Sequence, residues 1–176
     1  MRNVSLFIAM SLDGYIADQD GGVDWLKGHS DDNGGDDIYS GFVKNIDTIL
    51  MGKKTYHQIV TELSPQEWVY NDFITYVVTH NEQSSSDKIR FVNINPASLV
   101  RNLKEENGKD IWICGGANIV QQLVDEDLID CYHITIIPVL LGSGIRLFEN
   151  VDHQIELRLR DVRLSNGMTN LIYERR

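Results

Sequence analysis

The stretch Asp47-Thr-Ile-Leu-Met-Gly-Lys-Lys-Thr-Tyr56 constrains the fold of this chain more than any other. An apolar run, Thr48 to Met51, stops at Gly52. Tyr56, Ile59, Val60 and Leu63 then recur at helical spacing, which predicts one helical face from Lys53 onward. A buried strand that hands over to a helix at a glycine is a junction of an α/β sheet. It places Lys53, Lys54 and Thr55 in the first helical turn, just past the strand's carboxyl end. Free backbone N–H groups and the positive pole of the helix make such a turn suited to an anion. Two cations there otherwise cost roughly 0.3–1 kcal/mol each against the macrodipole. Either a bound anion offsets that cost, or the turn is simply a solvated one.

The same junction recurs downstream. Ile111-Trp-Ile-Cys114 reads as a strand that ends at Gly115-Gly116, and a helix burying Ile119, Val120, Leu123 and Val124 opens at once. Gly115-Gly116-Ala117-Asn118 lacks the third glycine and the downstream acid of the dinucleotide fingerprint. Adjacent glycines after Cys114 serve either as a tight turn or as a close backbone approach to a pyrophosphate. Two such junctions, at Gly52 and at Gly115-Gly116, are what a dinucleotide with a ribose phosphate needs, and NADPH is the expected cofactor.

Around these junctions the remaining elements follow from local pattern. Val4 to Met10 is expected as a buried strand, Asp13-Gly14 as a turn and Tyr15 to Ala17 as an extended segment. A short helix is expected over Ile38 to Asn45, a strand over Phe73 to Val78 and another over Phe91 to Ile94. Asn95-Pro96 caps a helix carrying Leu99, Val100 and Leu103, which Gly108 closes. Asp130 to Leu140 reads as a strand broken by Pro138. The tail is a hairpin, Glu156 to Leu164 and Thr169 to Glu174 about an Asn166-Gly167 turn, with a bulge near Arg160-Asp161. Alternating strands and helices followed by an antiparallel tail predict a mixed sheet with helices on both faces, and ligands beyond the carboxyl ends of its parallel strands.

With 176 residues the chain is expected to form one domain, residues 1–176. Its formal charge of −10 argues against nucleic acid or an anionic membrane as partner, while the local Lys53-Lys54 pair still accommodates a phosphorylated ligand. No apolar run approaches a membrane span and no signal-peptide layout opens the chain, so a cytoplasmic protein is expected. Cys114 and Cys131 lie in apolar runs without paired spacing and are expected as reduced, buried thiols. The histidines form no ligand pattern, and no metal is expected.

Four acidic or aromatic positions carry two readings each. Asp13 is a turn former or a catalytic acid. Asp36 and Asp37 cap the helix from Ile38, or turn a carboxylate into the pocket as proton donor. Trp25, in the Gly- and Asp-rich loop from Gln19 to Asp36, is a lid residue or an apolar plug.

Taken together, Ala9-Met-Ser-Leu-Asp-Gly-Tyr-Ile-Ala17, Asp24-Trp25-Leu26, Met51-Gly-Lys-Lys-Thr-Tyr56 and Ile113-Cys-Gly-Gly-Ala-Asn118 resemble the dihydrofolate reductase superfamily in order and spacing. Ile137-Pro-Val-Leu-Leu-Gly-Ser-Gly-Ile-Arg-Leu-Phe148 narrows the resemblance to the reductase domain of the bifunctional riboflavin-biosynthesis deaminase/reductase and its stand-alone relatives. The resemblance implies a three-layer α/β/α fold, with a central mixed sheet and an antiparallel C-terminal hairpin. It implies NADPH as hydride donor. Backbone groups of Ala9 and Ile16 would meet the nicotinamide carboxamide. Gly52, Lys53, Lys54 and Thr55 would hold the adenosine end, with Thr79 or His80 near its ribose phosphate. Cys114 leads into Gly115, Gly116, Ala117 and Asn118 at the pyrophosphate, with a cis Gly-Gly peptide. Trp25 falls in the mobile loop over the nicotinamide, and Trp112 is also expected near the cofactor.

The chain departs from that family in two places. No His-x-Glu with Pro-Cys-x-x-Cys occurs, so the zinc deaminase half is absent. The helix region Ile38-Tyr-Ser-Gly-Phe-Val-Lys-Asn-Ile46 lacks the Arg and His of the riboflavin reductases, which removes one anchor for a ribose phosphate. The expected activity is NADPH-dependent reduction of a small pyrimidine- or pterin-like heterocycle. The nearest example is 5-amino-6-(5-phosphoribosylamino)uracil, with Asp36, Asp37, a bound water or Asp13 as proton source. Dihydrofolate reduction is the second reading, and a non-catalytic nucleotide-binding protein on the same scaffold the third. A homodimer is expected by resemblance.

Overall fold

The computed structural model describes residues 1–28, 38–81, 83–151 and 153–176. Asp36 and Asp37 lie outside these residues. Among the described residues the strands are β1 (Val4–Ser11), β2 (Tyr15–Ala17), β3 (Ile46–Gly52), β4 (Ile74–Val78), β5 (Ile89–Val92), β6 (Asp110–Gly115), β7 (Cys131–Ile137), β8 (Ile145–Arg146), β9 (Leu157–Ser165) and β10 (Met168–Arg175). The helices are α1 (Ile38–Val43), α2 (Lys53–Gln58), α3 (Pro96–Glu105) and α4 (Ala117–Asp125), with a π-helical turn over Ile59–Leu63.

A mixed eight-stranded sheet runs in the order β5-β4-β3-β6-β1-β7-β10-β9, and β2 pairs separately with β8. From β5 to β7 every pairing is parallel, and β10 and β9 extend the sheet antiparallel. The chain leaves β3 toward one edge and β6 toward the other. The carboxyl ends of β3, β6 and β1 therefore lie side by side where the direction of winding reverses, the position at which open α/β sheets bind ligands.

Two cores flank the sheet. On one face α3 and α4 cover an aliphatic core that includes Leu6, Leu50, Ile111, Ile113 and Leu123. On the other, α1 and α2 cover an aromatic one built on Phe42, Phe73 and Trp112. The four apolar residues expected on α4 are all buried. Asn95 caps α3 as expected, its side chain accepting from the Ser98 N–H at 3.1 Å, with Pro96 in the first turn.

The structure departs from some of these expectations and meets others. The helical face from Tyr56 to Leu63 breaks because α2 turns π-helical at Ile59, where the Ser64 N–H bonds the Ile59 carbonyl at 2.7 Å. The extra residue in that turn rotates Leu63 outward, and it is 58% exposed. Gly108 does not close α3, which ends at Glu105. A side chain at Gly108 would instead stand 2.7 Å from Asp47 Oδ2 and 3.1 Å from Arg2 Cζ, so glycine here admits the Arg2–Asp47 ion pair. Trp112 is packed edge-on among Phe7, Tyr39, Phe42, Tyr70 and Phe73, away from solvent. The tail hairpin carries its bulge at Arg160: Asp161 faces Ile172 while Leu159 faces Tyr173. Among the described residues, no helix is long and apolar enough to cross a membrane.

Candidate functional site

At the winding reversal, three segments meet. Gly52 ends β3 and is the N-cap of α2; Gly115 ends β6, and Gly116 is the N-cap of α4. A methyl group on Gly116 would lie 3.2 Å from Thr55 Oγ1, and one on Gly52 would lie 3.4 Å from Ile119 Cγ1. Gly115 has φ +130°, a conformation glycine tolerates and other residues rarely adopt, and a side chain on it would reach Ile8 of β1 at 3.7 Å. The Gly115-Gly116 peptide is cis. Cys114 is the extra residue of a bulge just before it, since Leu50 pairs with Ile113 and Met51 with Gly115. Burial pushes the Cys114 thiol up to about 12, so it stays protonated beside Tyr70 and serves as filler.

Among the described residues, no side chain caps the first turn of α2 or of α4. Asn118, in the first turn of α4, instead accepts from Gln122 Nε2 at 2.8 Å along the helix. The first-turn N–H groups of both helices thus have no side-chain cap among the described residues.

Lys53 meets residues of a neighbouring cavity. Its ammonium lies over the Tyr56 and Phe91 rings, 5.2 and 5.0 Å from their centroids, and bonds the Gln83 side chain. Gln83 and Phe91 line a cavity of about 550 Å³, together with His80, Asn81, Ser84, Val92 and Asn93. The His80 ring bonds Asn93 Oδ1 at 3.1 Å on its wall. Thr79 is buried, and its hydroxyl accepts from the Asn81 N–H at 3.1 Å, so it shapes the loop while His80 lines the space. Lys54 is exposed. Gln83, Phe91 and Asn93 escaped sequence reasoning because a polar loop and a short strand give no signal of a shared cavity.

Asp13 sits elsewhere. Its carboxylate accepts from Ser11 Oγ at 2.6 Å, the Gly142 N–H at 2.7 Å and the Leu141 N–H at 3.1 Å. The Ser11 hydroxyl above all, and then the two backbone donors, hold it down to about 2. A carboxylate ionised that firmly clasps the β1–β2 turn to the segment after β7 and has no proton to give near neutrality. Gly14 follows at φ +89°, as the turn demands.

Ala9 lies on β1 and Ile16 on β2, which Gly14 sets beside β8. The segment after β2 crosses toward α2: Gln58 Nε2 donates to the Gly21 carbonyl at 2.9 Å, and Trp25 Nε1 donates to Gly22 at 3.2 Å. Trp25 is half-buried, in a segment that reaches from α2 to Gly28, which packs against Asn166 in the β9–β10 turn. Among the described residues no group of His, Cys, Asp or Glu is placed to hold a metal ion.

Comparison with known proteins gives three kinds of match. The family model described as the RibD C-terminal domain matches residues 2–173. Two curated relatives from Bacillus subtilis (strain 168), the uncharacterized proteins YwjB and YyaP, are 39% and 30% identical, covering 99% and 98% of this chain and 98% and 94% of their own. Among solved structures, a Shewanella sp. PV-4 protein named for riboflavin biosynthesis superposes with TM-score 0.85 at 28% identity, over 100% of this chain and 99% of its own. The Thermotoga maritima diaminohydroxyphosphoribosylaminopyrimidine deaminase/5-amino-6-(5-phosphoribosylamino)uracil reductase and Acinetobacter baumannii RibD superpose at 0.69 and 0.68, both 16% identical. This chain, covered to 99% and 100%, spans 57% and 58% of those two longer proteins, and the likeness there is one of fold.

Proposed function

The chain belongs to the RibD C-terminal domain family, and on that premise we propose that it is an NADPH-dependent reductase of a small nitrogen heterocycle. The nearest substrate is 5-amino-6-(5-phosphoribosylamino)uracil. The observation that carries the reading is the pair of uncapped, glycine-started helices converging at the winding reversal, Thr55 against Gly116. The residues present suit the cofactor. Gly115, Gly116, Ala117 and Asn118 present backbone N–H groups and no obstructing side chain to a pyrophosphate. Gly52 and Thr55 flank it. Lys53, Lys54 and His80 supply positive charge and donors around the neighbouring cavity for the adenosine ribose phosphate, and Ala9 and Ile16 offer backbone groups to the carboxamide.

NADPH bound there supplies a hydride to the substrate's C=N or C=O bond. The chain's part is to orient and to keep water out. The segment from Gly21 to Gly28, with Trp25, closes over the strand ends. The proton for the other atom comes from Asp36, Asp37 or a bound water. Asp13, ionised and clasped, holds the β1–β2 turn to the segment after β7 and takes no part in proton transfer.

The uncovered apolar side of the β9–β10 hairpin, where Leu159, Val162 and Leu164 are 50%, 46% and 78% exposed, suits a second copy of the chain. The functional unit is a cytoplasmic homodimer in this reading. The test is loss of NADPH absorbance on addition of 5-amino-6-(5-phosphoribosylamino)uracil or dihydrofolate. Oxidation driven by the pyrimidine supports the reading, and oxidation driven by dihydrofolate alone moves it to pterin reduction. Tight NADPH binding with no oxidation by either would make the chain a nucleotide-binding protein without turnover.

A further inference from the structure

The sheet face beneath α1 carries polar side chains where packing alone asks for none. Register places Phe7 beside His133 and Ala9 beside Thr135 across β1 and β7, then Ile172 beside His133 and Asn170 beside Thr135 across β7 and β10. Ala9, Thr135 and Asn170 thus form one row on a single face, with Phe7 and His133 in the next. Asn170 is 7% exposed, and the Thr135 hydroxyl donates to its Oδ1 at 2.6 Å. That bond orients the amide: its carbonyl is engaged, and its Nδ2 hydrogens are turned away from Thr135.

His133 is held against Phe7 and Phe42, with ring centroids 5.9 and 5.0 Å away. Its Nε2 meets Cys131 Sγ at 3.3 Å, while Nδ1 is buried with no hydrogen-bond partner among the described residues. An unpaired buried ring nitrogen is a standing cost that a ligand can remove. Burial, and then the Arg163 charge, hold the imidazole below its ordinary pKa, so it is neutral at physiological pH. In the tautomer that carries its proton on Nε2, toward the sulfur, Nδ1 is an acceptor, and that is the tautomer a ligand N–H selects. His133 and Asn170 are diagonal neighbours across β7 and β10, a spacing of about 7–8 Å that is on the scale of one planar ring.

We propose that this row reads the substrate: Asn170 Nδ2 donates to a ring carbonyl and His133 Nδ1 accepts from the adjacent ring N–H. The ligand class is a planar heterocycle with an open lactam edge, lying beside Ala9. The inference rests on the reductase reading, because Ala9 is the nicotinamide position in it. Thr135 is a positioning residue that acts through Asn170.

The test is calorimetric titration of the full chain, saturated with NADPH, with 5,6-diaminouracil and with its 1,3-dimethyl derivative, whose lactam edges are blocked. The wild-type chain is expected to bind the open compound roughly tenfold or more tightly than the blocked one, the worth of about one good hydrogen bond. Asn170→Leu and His133→Phe lose that discrimination while NADPH affinity is unchanged, which also shows that they fold. Thr135→Val, which leaves both reading groups in place, loses part of it and covers the case in which Asn170→Leu does not fold. Equal binding of the two compounds, discrimination that survives in the variants, or no binding of 5,6-diaminouracil by a chain that binds NADPH each overturns the inference. Failure to bind NADPH itself overturns the reductase reading beneath it.

Discussion

Helix α3 and the pair α2 and α4 all follow parallel strands, yet their first turns are finished in different ways. At α3 the chain closes its own turn: Asn95 accepts from the Ser98 N–H, and Pro96 removes a donor that needs no partner. At α2 and α4 a glycine stands at the N-cap, no side chain among the described residues completes the turn, and both starts converge at the winding reversal. A helix start that the chain satisfies by itself serves stability. One left open beside glycine-ended strands is completed by something else, and an anion fits it. The difference predicts that damage at the two kinds of start will be felt in different measurements.

The sharpest way to break the comparison is at Gly115 and Gly116. Gly115→Val forces a branched side chain into φ +130°, beside Ile8. The backbone cost is on the order of 1–3 kcal/mol, and NADPH affinity should fall by about 100-fold or more, close to 2.7 kcal/mol. Gly116→Ala, whose methyl meets Thr55 Oγ1 at 3.2 Å, should weaken NADPH with little change in melting temperature. Unaltered affinity in both would remove the pyrophosphate from this cleft.

Next in size is the lysine pair. Replacing Lys53 and Lys54 by alanine deletes charge-assisted bonding worth roughly 1.5–3 kcal/mol in all. NADPH should weaken by about 10–100-fold and NADH hardly at all; equal weakening of both refutes the phosphate assignment. The mirror experiment is Asn95→Ala, which should lower unfolding free energy by about 0.5–2 kcal/mol and leave NADPH affinity untouched.

The smallest effect concerns the clasp at Asp13. Its pKa in the fold, about 2, lies below the ordinary 3.8. The unfolded chain therefore binds the extra proton first, and the clasp's contribution is present above pH 3.8 and lost as pH falls toward 2. Melting curves across that acid window should show a steeper loss for the wild type than for Asp13→Asn, and identical slopes would mean that the clasp adds nothing.

Much of this was legible in the amino-acid order, for reasons that can be named. Both strand-to-helix junctions showed because a continuous apolar run and a helical repeat meet at glycine, so the periodicity changes abruptly. The Asn166-Gly167 turn and the Arg160 bulge showed because alternation in a strand reports its own phase shifts. The π-turn after α2 did not show, since nothing in Ile59 to Leu63 marks an inserted residue. Neither did β8, whose two residues are a strand only because β2 lies beside them. Gly108 looked like a helix stop, but its reason is Arg2, more than a hundred positions away in sequence. The cavity beside Lys53 depends on Gln83 and Phe91 arriving from two segments, and no local pattern encodes a meeting of that kind. Asp13 read correctly as a turn former, while its partners Leu141 and Gly142 were invisible at that range.

The most direct test of the central claim is titration of the purified chain with NADPH and with NADH, followed by tryptophan fluorescence and repeated on Gly116→Ala. The open helix starts, with Lys53 and Lys54 beside them, predict saturable binding with NADPH preferred by roughly tenfold or more, weakened in the variant. No binding of either nucleotide, or equal binding indifferent to Gly116, would contradict it.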